Sequence, residues 1–243
     1  MKYLAFDLEV CSWPEDGEWD HKTPLGVSCV GMMGSDWDKP EVWYASSCIG
    51  KPEPRAMVKE ELADVKSNLA VMDVDDYRIV GWNSLQFDFL ILALDDPDNF
   101  EFYADLAMNH VDPMFYIVCS KGWPVGLQTV ARGLRLPGKT EGMSGDKAPD
   151  MWMNGSLDDR NKILEYVGQD ATTTLDIVEV ASRTGYLRWY SKSGNPQKLP
   201  ILNREIPTVK ECLNIIEPDT SWMDNPMKRE DFYAWTKSNL QQD

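Results

Sequence analysis

The sequence predicts an α/β domain built over a mixed sheet, and three observations support this. Short apolar, β-prone segments at residues 2–10, 26–34, 40–46 and 77–82 are typical of buried strands. Segments with helical periodicity occur at residues 53–72, 83–96, 125–136 and 156–182. The 243 residues, 43% of them hydrophobic, are enough for one large domain with or without a small appendage.

The order of these segments gives the architecture. Three strands come first, and residues 34–40 between the second and third favour a hairpin. A helix, a strand and a largely apolar helix follow, and then a short strand candidate at 110–113, a helix, a glycine-rich loop at 138–150 and a last helix. Strands that alternate with helices in this way predict helices packed on a sheet.

The C-terminal part of the chain differs in composition. Residues 183–204 contain five basic side chains and no acidic one, interleaved with three aromatic residues: Arg183, Arg188, Lys192, Lys198 and Arg204, with Tyr186, Trp189 and Tyr190. We therefore expect a domain at residues 1–182 and a small C-terminal extension at 183–243 that carries this basic and aromatic patch and packs on the domain.

Charge and cysteine content limit the classes of partner and compartment. The formal net charge of −16 argues against a nucleic acid partner unless carboxylates gather around divalent cations, which invert the local sign. Five cysteines without C-x-x-C spacing predict a reducing compartment. No apolar stretch approaches the roughly 18 residues of a membrane span. We expect a cytoplasmic protein with no membrane partner.

The segment GLRLPGKT, from Gly133 to Thr140, has the letters of the phosphate-binding pattern G-x-x-x-x-G-K-[ST]. That pattern needs a strand before it and a helix after it, whereas here a predicted helix precedes it and a glycine-rich loop follows. We favour Gly138 as the residue that caps the preceding helix. A phosphate-loop triphosphatase remains a minor alternative, which requires nucleotide binding that Lys139→Ala removes.

Four carboxylates lie where apolar residues are expected. Asp7 and Glu9 are two positions apart on an apolar strand, so their side chains share one face. Repulsion between the two negative charges is costly unless a cation neutralises it or the strand end is exposed to water. Asp88 interrupts the first turns of an apolar helix, where the helix N-terminus alone would stabilise it. Asp170 lies on the apolar stripe of the last helix, one turn after Tyr166, so a metal, an Arg or a backbone cap is required.

Together, FDLE on the first strand, NSLQFD after a later strand and YVGQD on the last helix resemble the three motifs of the DEDD (DnaQ-like) superfamily of 3′–5′ exonucleases. The resemblance covers residues 1–182 and implies an RNase H-like fold, in which a mixed five-stranded sheet is flanked by helices. Tyr166, four residues before Asp170, is the feature of the DEDDy subgroup.

The resemblance implies a mechanism with two metal ions. Asp7, Glu9, Asp88 and Asp170 would hold two Mg²⁺ or Mn²⁺ ions about 4 Å apart, one that activates the attacking water and one that stabilises the leaving 3′ oxygen. Tyr166 would orient the water, since a phenol is a poor base. The expected reaction is stepwise release of nucleoside 5′-monophosphates from a free 3′ end, with single-stranded DNA favoured over RNA.

Further residues are candidates for substrate binding. They lie beside the motifs, in the glycine-rich loop and in the basic patch: Leu8, Asn83, Phe87, Lys139, Arg188 and Lys192. Asn83 is equally expected as a helix N-cap, Leu8 and Phe87 as core residues, and the basic patch as a solvated hairpin. An RNase H-like scaffold that binds metal or nucleic acid without hydrolysis remains the alternative to an enzyme.

Overall fold

The computed structural model describes residues 1–14, 17–74, 77–137, 145–224 and 226–237. The chain divides into two compact units. Unit 1 consists of Met1–Ile79, Ile91–Phe100 and Lys139–Thr172, and unit 2 consists of Val80–Leu90, Glu101–Gly138 and Thr173–Asp243. Each unit is therefore assembled from segments that are distant in sequence.

A four-stranded mixed sheet contains the first strands of the chain. Its strands are β1 (Lys2–Val10), β2 (Val27–Gly34), β3 (Glu41–Tyr44) and β4 (Tyr77–Val80), in the order β3-β2-β1-β4. Strand β2 runs antiparallel to both β1 and β3, which confirms the predicted hairpin. Strands β1 and β2 are buried along almost their whole length, as their apolar sequences predict.

The five-stranded sheet expected from the resemblance is not confirmed. At the predicted fifth strand, the described residues form one isolated parallel bridge, between Val80 and Val111 of unit 2. The extended run ends there because Asp112 caps the next helix and Pro113 occupies its first turn. A proline has no N–H with which to continue a sheet ladder.

The helices of the described residues include the four predicted ones, in the predicted order, and five additional ones. They are α1 (Lys59–Val74), α2 (Asp88–Asp95), α3 (Phe100–Asn109), α4 (Pro113–Lys121), α5 (Leu127–Leu134), α6 (Ala148–Met153), α7 (Leu157–Thr184), α8 (Val209–Cys212) and α9 (Glu230–Tyr233). Helices α3, α4, α6, α8 and α9 were not predicted. Seven consecutive residues of α4, from Pro113 to Cys119, are buried, so its sequence lacks the polar face that reveals a helix.

Helix α5 contradicts the phosphate-loop interpretation. Gly133 lies inside this helix, and a Cβ placed on it would be 2.1 Å from the carbonyl oxygen of Arg188. The first glycine of a phosphate loop must instead precede a helix and face the ligand. The helix ends at Leu134, with Arg135 rather than the predicted Gly138 in the left-handed capping conformation. Gly138, Lys139 and Thr140 lie outside the described residues.

The basic and aromatic patch forms a hairpin in unit 2. Strand β5 (Tyr186–Tyr190) pairs antiparallel with β6 (Pro196–Pro200), separately from the main sheet. Helix α7 passes the predicted domain boundary at residue 182 without interruption, and that boundary stays a prediction. No helix in the described part of the chain is long and apolar enough to cross a membrane.

Candidate active site

Strand β1 places Asp7 and Glu9 on the same face of the sheet. In the register with β2, Asp7 lies opposite Gly31 and Glu9 opposite Cys29. The register shifts directly after Glu9, and irregularities of this kind re-aim side chains and are common beside active sites. Glu9 is only 7% exposed, so its carboxylate is largely removed from water. Leu8 points to the opposite face and is buried, which makes it a core residue.

Helix α7 crosses the sheet in backbone contact with Gly31. A Cβ placed on Gly31 would lie 2.7 Å from the carbonyl oxygen of Val167, and one placed on Gly168 would lie 3.6 Å from Val42. Val42 pairs with Gly31, which pairs with Asp7, so these residues form one row across the sheet. Residues directly opposite in an antiparallel pair point to the same face. The helix therefore covers the face from which Asp7 projects.

Tyr166 and Asp170 flank this crossing point on α7, and both are buried in unit 1. The Tyr166 hydroxyl is hydrogen-bonded to the Asp170 side chain. Burial raises the pKa of Tyr166 well above its ordinary value, and the negative charges of Asp170, Glu9 and Asp7 raise it further. Three of the predicted carboxylates thus lie close enough to Tyr166 to raise its pKa. The phenol stays protonated and donates to Asp170.

The donor chemistry of these side chains fits a hard divalent cation. Mg²⁺ and Mn²⁺ prefer carboxylate oxygens, and a cation would offset the repulsion among carboxylates withdrawn from water. Within the residues that the structure describes, no group of three or more His, Cys, Asp or Glu side chains lies in the arrangement of a formed metal site. Asp7, Glu9 and Asp170 are therefore neighbours of one hydroxyl in this structure, and their role as metal ligands is a proposal.

Asp88 begins helix α2 in unit 2 and is 2% exposed. The helix starts later than the sequence predicts, because residues 82–87 form a turn. Asn83 is not its N-cap: it adopts a left-handed conformation with φ of 63°, and its carbonyl oxygen accepts from Phe87 N at 3.1 Å. Asn83 and Phe87 are both half-buried in this turn.

Asp112 holds the turn before Asp88, a role that sequence analysis missed. Its Oδ1 accepts from Asn83 N at 3.1 Å and its Oδ2 from Leu85 N at 3.2 Å. Its Oδ1 also accepts from Met114 N at 2.9 Å and from Phe115 N at 3.1 Å, which caps α4. Burial raises the pKa of Asp112 to about 6, although these hydrogen bonds oppose the shift. The Asp-Pro pair is a helix-start signal that could have located this cap.

His110 and Trp235 hold the same turn from two other sides. His110 Nε2 lies 2.7 Å from Ser84 Oγ, and its Nδ1 lies 2.6 Å from the carbonyl oxygen of Ala107. Burial lowers the pKa of His110 to about 3, so the ring is neutral. Nδ1 must then donate to Ala107, which leaves Nε2 to accept from the Ser84 hydroxyl. Trp235 Nε1 donates to the carbonyl oxygen of Leu85 at 2.8 Å.

The remaining candidates for substrate binding lie in different places. Arg188 is half-buried on β5, and Lys192 is exposed in the turn of the hairpin. Lys139 lies outside the described residues. Their part in substrate binding stays a prediction.

Comparison with known proteins bears on the fold. The chain is similar to the family B DNA polymerase of the hyperthermophilic archaeon Pyrobaculum calidifontis, with a TM-score of 0.56 and 21% sequence identity over 74% of this chain. The chain covers 24% of that polymerase, or about a quarter of its length. At this identity the match shows a shared fold. No protein-family model and no curated protein matches the sequence.

Two structures of exonuclease I are more distant. The product-bound form has a TM-score of 0.37 and 14% identity, over 75% of this chain and 43% of that one. The E. coli enzyme in complex with a dT13 oligonucleotide has a TM-score of 0.34 and 15% identity, over 74% of this chain and 41% of that one.

Proposed function

We propose that the chain is a metal-dependent 3′–5′ exonuclease that releases nucleoside 5′-monophosphates from single-stranded nucleic acid, with DNA favoured over RNA. One observation carries the proposal: the negative charges of Asp170, Glu9 and Asp7 all raise the pKa of the buried Tyr166 hydroxyl. The fold shared with part of a DNA polymerase supports it. The Tyr166 and Asp170 pair supports the DEDDy subgroup in particular.

The carboxylates are the proposed ligands of two Mg²⁺ or Mn²⁺ ions. Asp7, Glu9 and Asp170 are the proposed ligands from unit 1, and Asp88 is the fourth, on the basis of its sequence motif. When bound, the ions supply Lewis acidity that activates a water and stabilises a leaving oxygen. The burial of Glu9, Asp88 and Asp170 strengthens their attraction for a cation, because a low local dielectric increases every electrostatic interaction.

Tyr166 positions groups in the proposed site rather than accepting a proton. Its hydroxyl is hydrogen-bonded to Asp170 and lies in the field of Asp7 and Glu9, which disfavours the phenolate. A protonated phenol can donate one hydrogen bond and accept others. We propose that Tyr166 fixes the orientation of Asp170 and of the attacking water.

A degradation ladder tests this function. Matched single- and double-stranded DNA and RNA, labelled at either the 5′ or the 3′ end, are incubated with Mg²⁺ or Mn²⁺, and with EDTA as the control. We expect a ladder from 5′-labelled single strands and labelled mononucleotide from 3′-labelled ones, with no products in EDTA. Internal cleavage, release from the 5′ end or metal-independent products would contradict the proposal. Binding without any turnover would favour the non-hydrolysing scaffold instead.

A further inference from the structure

The hairpin of β5 and β6 has two chemically different faces. Leu187, Trp189 and Leu199 are buried on one face. The alternate positions form what we call the outer face, made up of Tyr186, Arg188, Tyr190 and Lys198. Arg188 lies directly opposite Lys198 in the register. Two cations and two aromatic rings therefore share one side of a two-stranded sheet.

On the outer face, each cation is stacked on an aromatic ring. Lys198 Nζ lies 4.2 Å from the centroid of the Tyr186 ring. Arg188 Cζ lies 5.4 Å from the centroid of the Tyr190 ring, and Arg188 Nη2 donates to the Tyr190 hydroxyl at 2.9 Å. Tyr190 remains 42% exposed. These contacts restrict the side chains before any ligand arrives, which lowers the entropic cost of binding.

The cations of the hairpin differ from other surface cations in their ion pairing. Within the part of the chain that the structure describes, no carboxylate forms an ion pair with Arg188, Lys192 or Lys198. Other surface lysines do have such partners: Lys2 pairs with Asp36, Lys59 with Asp98 and Lys162 with Asp159. In a chain with 40 acidic residues and a net charge of −16, this segment is set apart by its positive charge, which suits an anionic ligand.

The backbone of the hairpin is fixed from below within unit 2. Gly133 of α5 lets that helix contact the carbonyl group of Arg188, where any larger residue would clash at 2.1 Å. The hydroxyl of Tyr116 donates to the carbonyl oxygen of Pro200 at 2.7 Å. The outer face is therefore a supported platform.

We propose that the outer face of the hairpin binds single-stranded nucleic acid. Bases stack on Tyr186 and Tyr190, while Arg188, Lys198 and Lys192 in the turn contact phosphates. A surface that combines aromatic rings with cations suits a single strand, whose bases are free to stack and whose phosphates attract cations, whereas the bases of a duplex are not available for stacking. As a contact for the substrate, this surface rests on the proposed function, but binding can be measured apart from cleavage.

The test measures binding in EDTA, where metal-dependent cleavage is absent. The anisotropy of a labelled oligothymidylate of about 20 nucleotides is followed over a series of salt concentrations. Three variants are compared with the wild type: Tyr186→Thr with Tyr190→Thr; Arg188→Gln with Lys192→Gln and Lys198→Gln; and, as a control with the same change in net charge, Lys2→Gln with Lys59→Gln and Lys162→Gln.

We expect loss of the two rings to weaken binding at least about fivefold per base stacked. Loss of the three hairpin cations should reduce the slope of log K against log salt by about 2, because each phosphate contact on a single strand contributes about 0.7. The control variant should retain the wild-type slope. Lys192 lies in the exposed turn, so Lys192→Glu tests the same surface without a change in either strand. This single substitution should weaken the binding of the oligothymidylate.

Three results would overturn the proposal: hairpin variants with wild-type affinity and slope, equal affinity for a duplex of the same length, or displacement of the strand by poly-glutamate as readily as by unlabelled strand. The last result would assign the surface to an acidic peptide. Hairpin-dependent binding in a protein that degrades no substrate would instead overturn only the proposed nuclease function.

Discussion

The backbone of Val167 in helix α7 lies against Gly31 of strand β2 with no room for a side chain between them. A Cβ on Gly31 would be 2.7 Å from the Val167 carbonyl oxygen, a distance that real Cβ atoms do not reach. Gly31 is the sheet partner of Asp7, and Val167 follows Tyr166. This contact therefore sets the distance between the carboxylates of β1 and those of α7.

The first prediction concerns this contact. We expect Gly31→Ala to shift α7 outward and to reduce kcat about 100-fold, because a displacement of about 1 Å at a catalytic group costs that much. Gly126→Ala is the control, since nothing lies within 4 Å of a Cβ at that position. Steady-state kinetics and circular dichroism check both variants. A fully active Gly31→Ala protein would show that the close contact is not needed.

The second prediction concerns Tyr166. We expect Tyr166→Phe to lower kcat by about 10- to 100-fold with little change in KM, because the hydroxyl is used to position the water rather than to bind substrate. The phenol also holds the carboxylate of Asp170, a proposed metal ligand. The rates of the variant with Mn²⁺ and with Mg²⁺ should therefore be compared. Unchanged kcat in both metals would exclude a role for the hydroxyl.

The third prediction concerns pH and His110. Its pKa is about 3 in the folded protein and has an ordinary value of 6.5, so unfolding takes up a proton between these values. The contribution of His110 to the free energy of unfolding is thus at its maximum above pH 6.5. It falls as the pH falls, by about 1.4 kcal/mol per pH unit. Denaturant titrations should show that the stability deficit of His110→Gln shrinks from pH 7 to pH 4, by about this amount per pH unit.

Asp112 should behave in the opposite way. Its pKa is about 6 when folded against an ordinary 3.8, so unfolding releases a proton between these values. Its contribution to the free energy of unfolding is therefore lost as the pH rises through 6. The deficit of Asp112→Asn should grow as the pH falls through this window. Deficits that change in the same direction for both variants would contradict the assigned pKa shifts.

The fourth prediction concerns Trp235. Its indole N–H donates to the buried turn at Leu85, and Trp235→Phe leaves that carbonyl oxygen without this donor. We expect a loss of about 1–3 kcal/mol in the free energy of unfolding. Trp222→Phe is a matched control, because Trp222 is 66% exposed and its indole donates to Asp219 at the surface. Equal losses in the two variants would argue against a specific role for Trp235.

Local patterns were enough to predict much of this structure. The period of two on β1 places Asp7 and Glu9 on one face, and the helical stripe of α7 buries Tyr166 and Asp170, as the structure confirms. What sequence analysis missed depends on contacts between distant residues. The importance of Gly31 depends on a helix more than a hundred residues away, and Asp112 organises a turn some thirty residues earlier.

The errors have a similar origin. Residues 110–113 have the composition of a strand, but Asp112 and Pro113 start a helix there, so only a bridge at Val111 remains. Asn83 is a good N-cap by type, yet its backbone N–H donates to Asp112, which holds it in a turn before the helix. Gly138 was the predicted cap of the helix at 125–136, whereas Arg135 caps α5, and Gly133 serves close packing of α5 on β5.

The most direct test compares two aspartates on the same helix. Asp170→Asn removes a proposed metal ligand, and Asp176→Asn, 6 positions later on α7, is the matched control. Release of labelled mononucleotide from a 3′-labelled single strand is measured with Mn²⁺ for both variants and for the wild type. We predict no release by Asp170→Asn and wild-type release by Asp176→Asn, with all three proteins folded. Wild-type activity in Asp170→Asn would contradict the proposed active site.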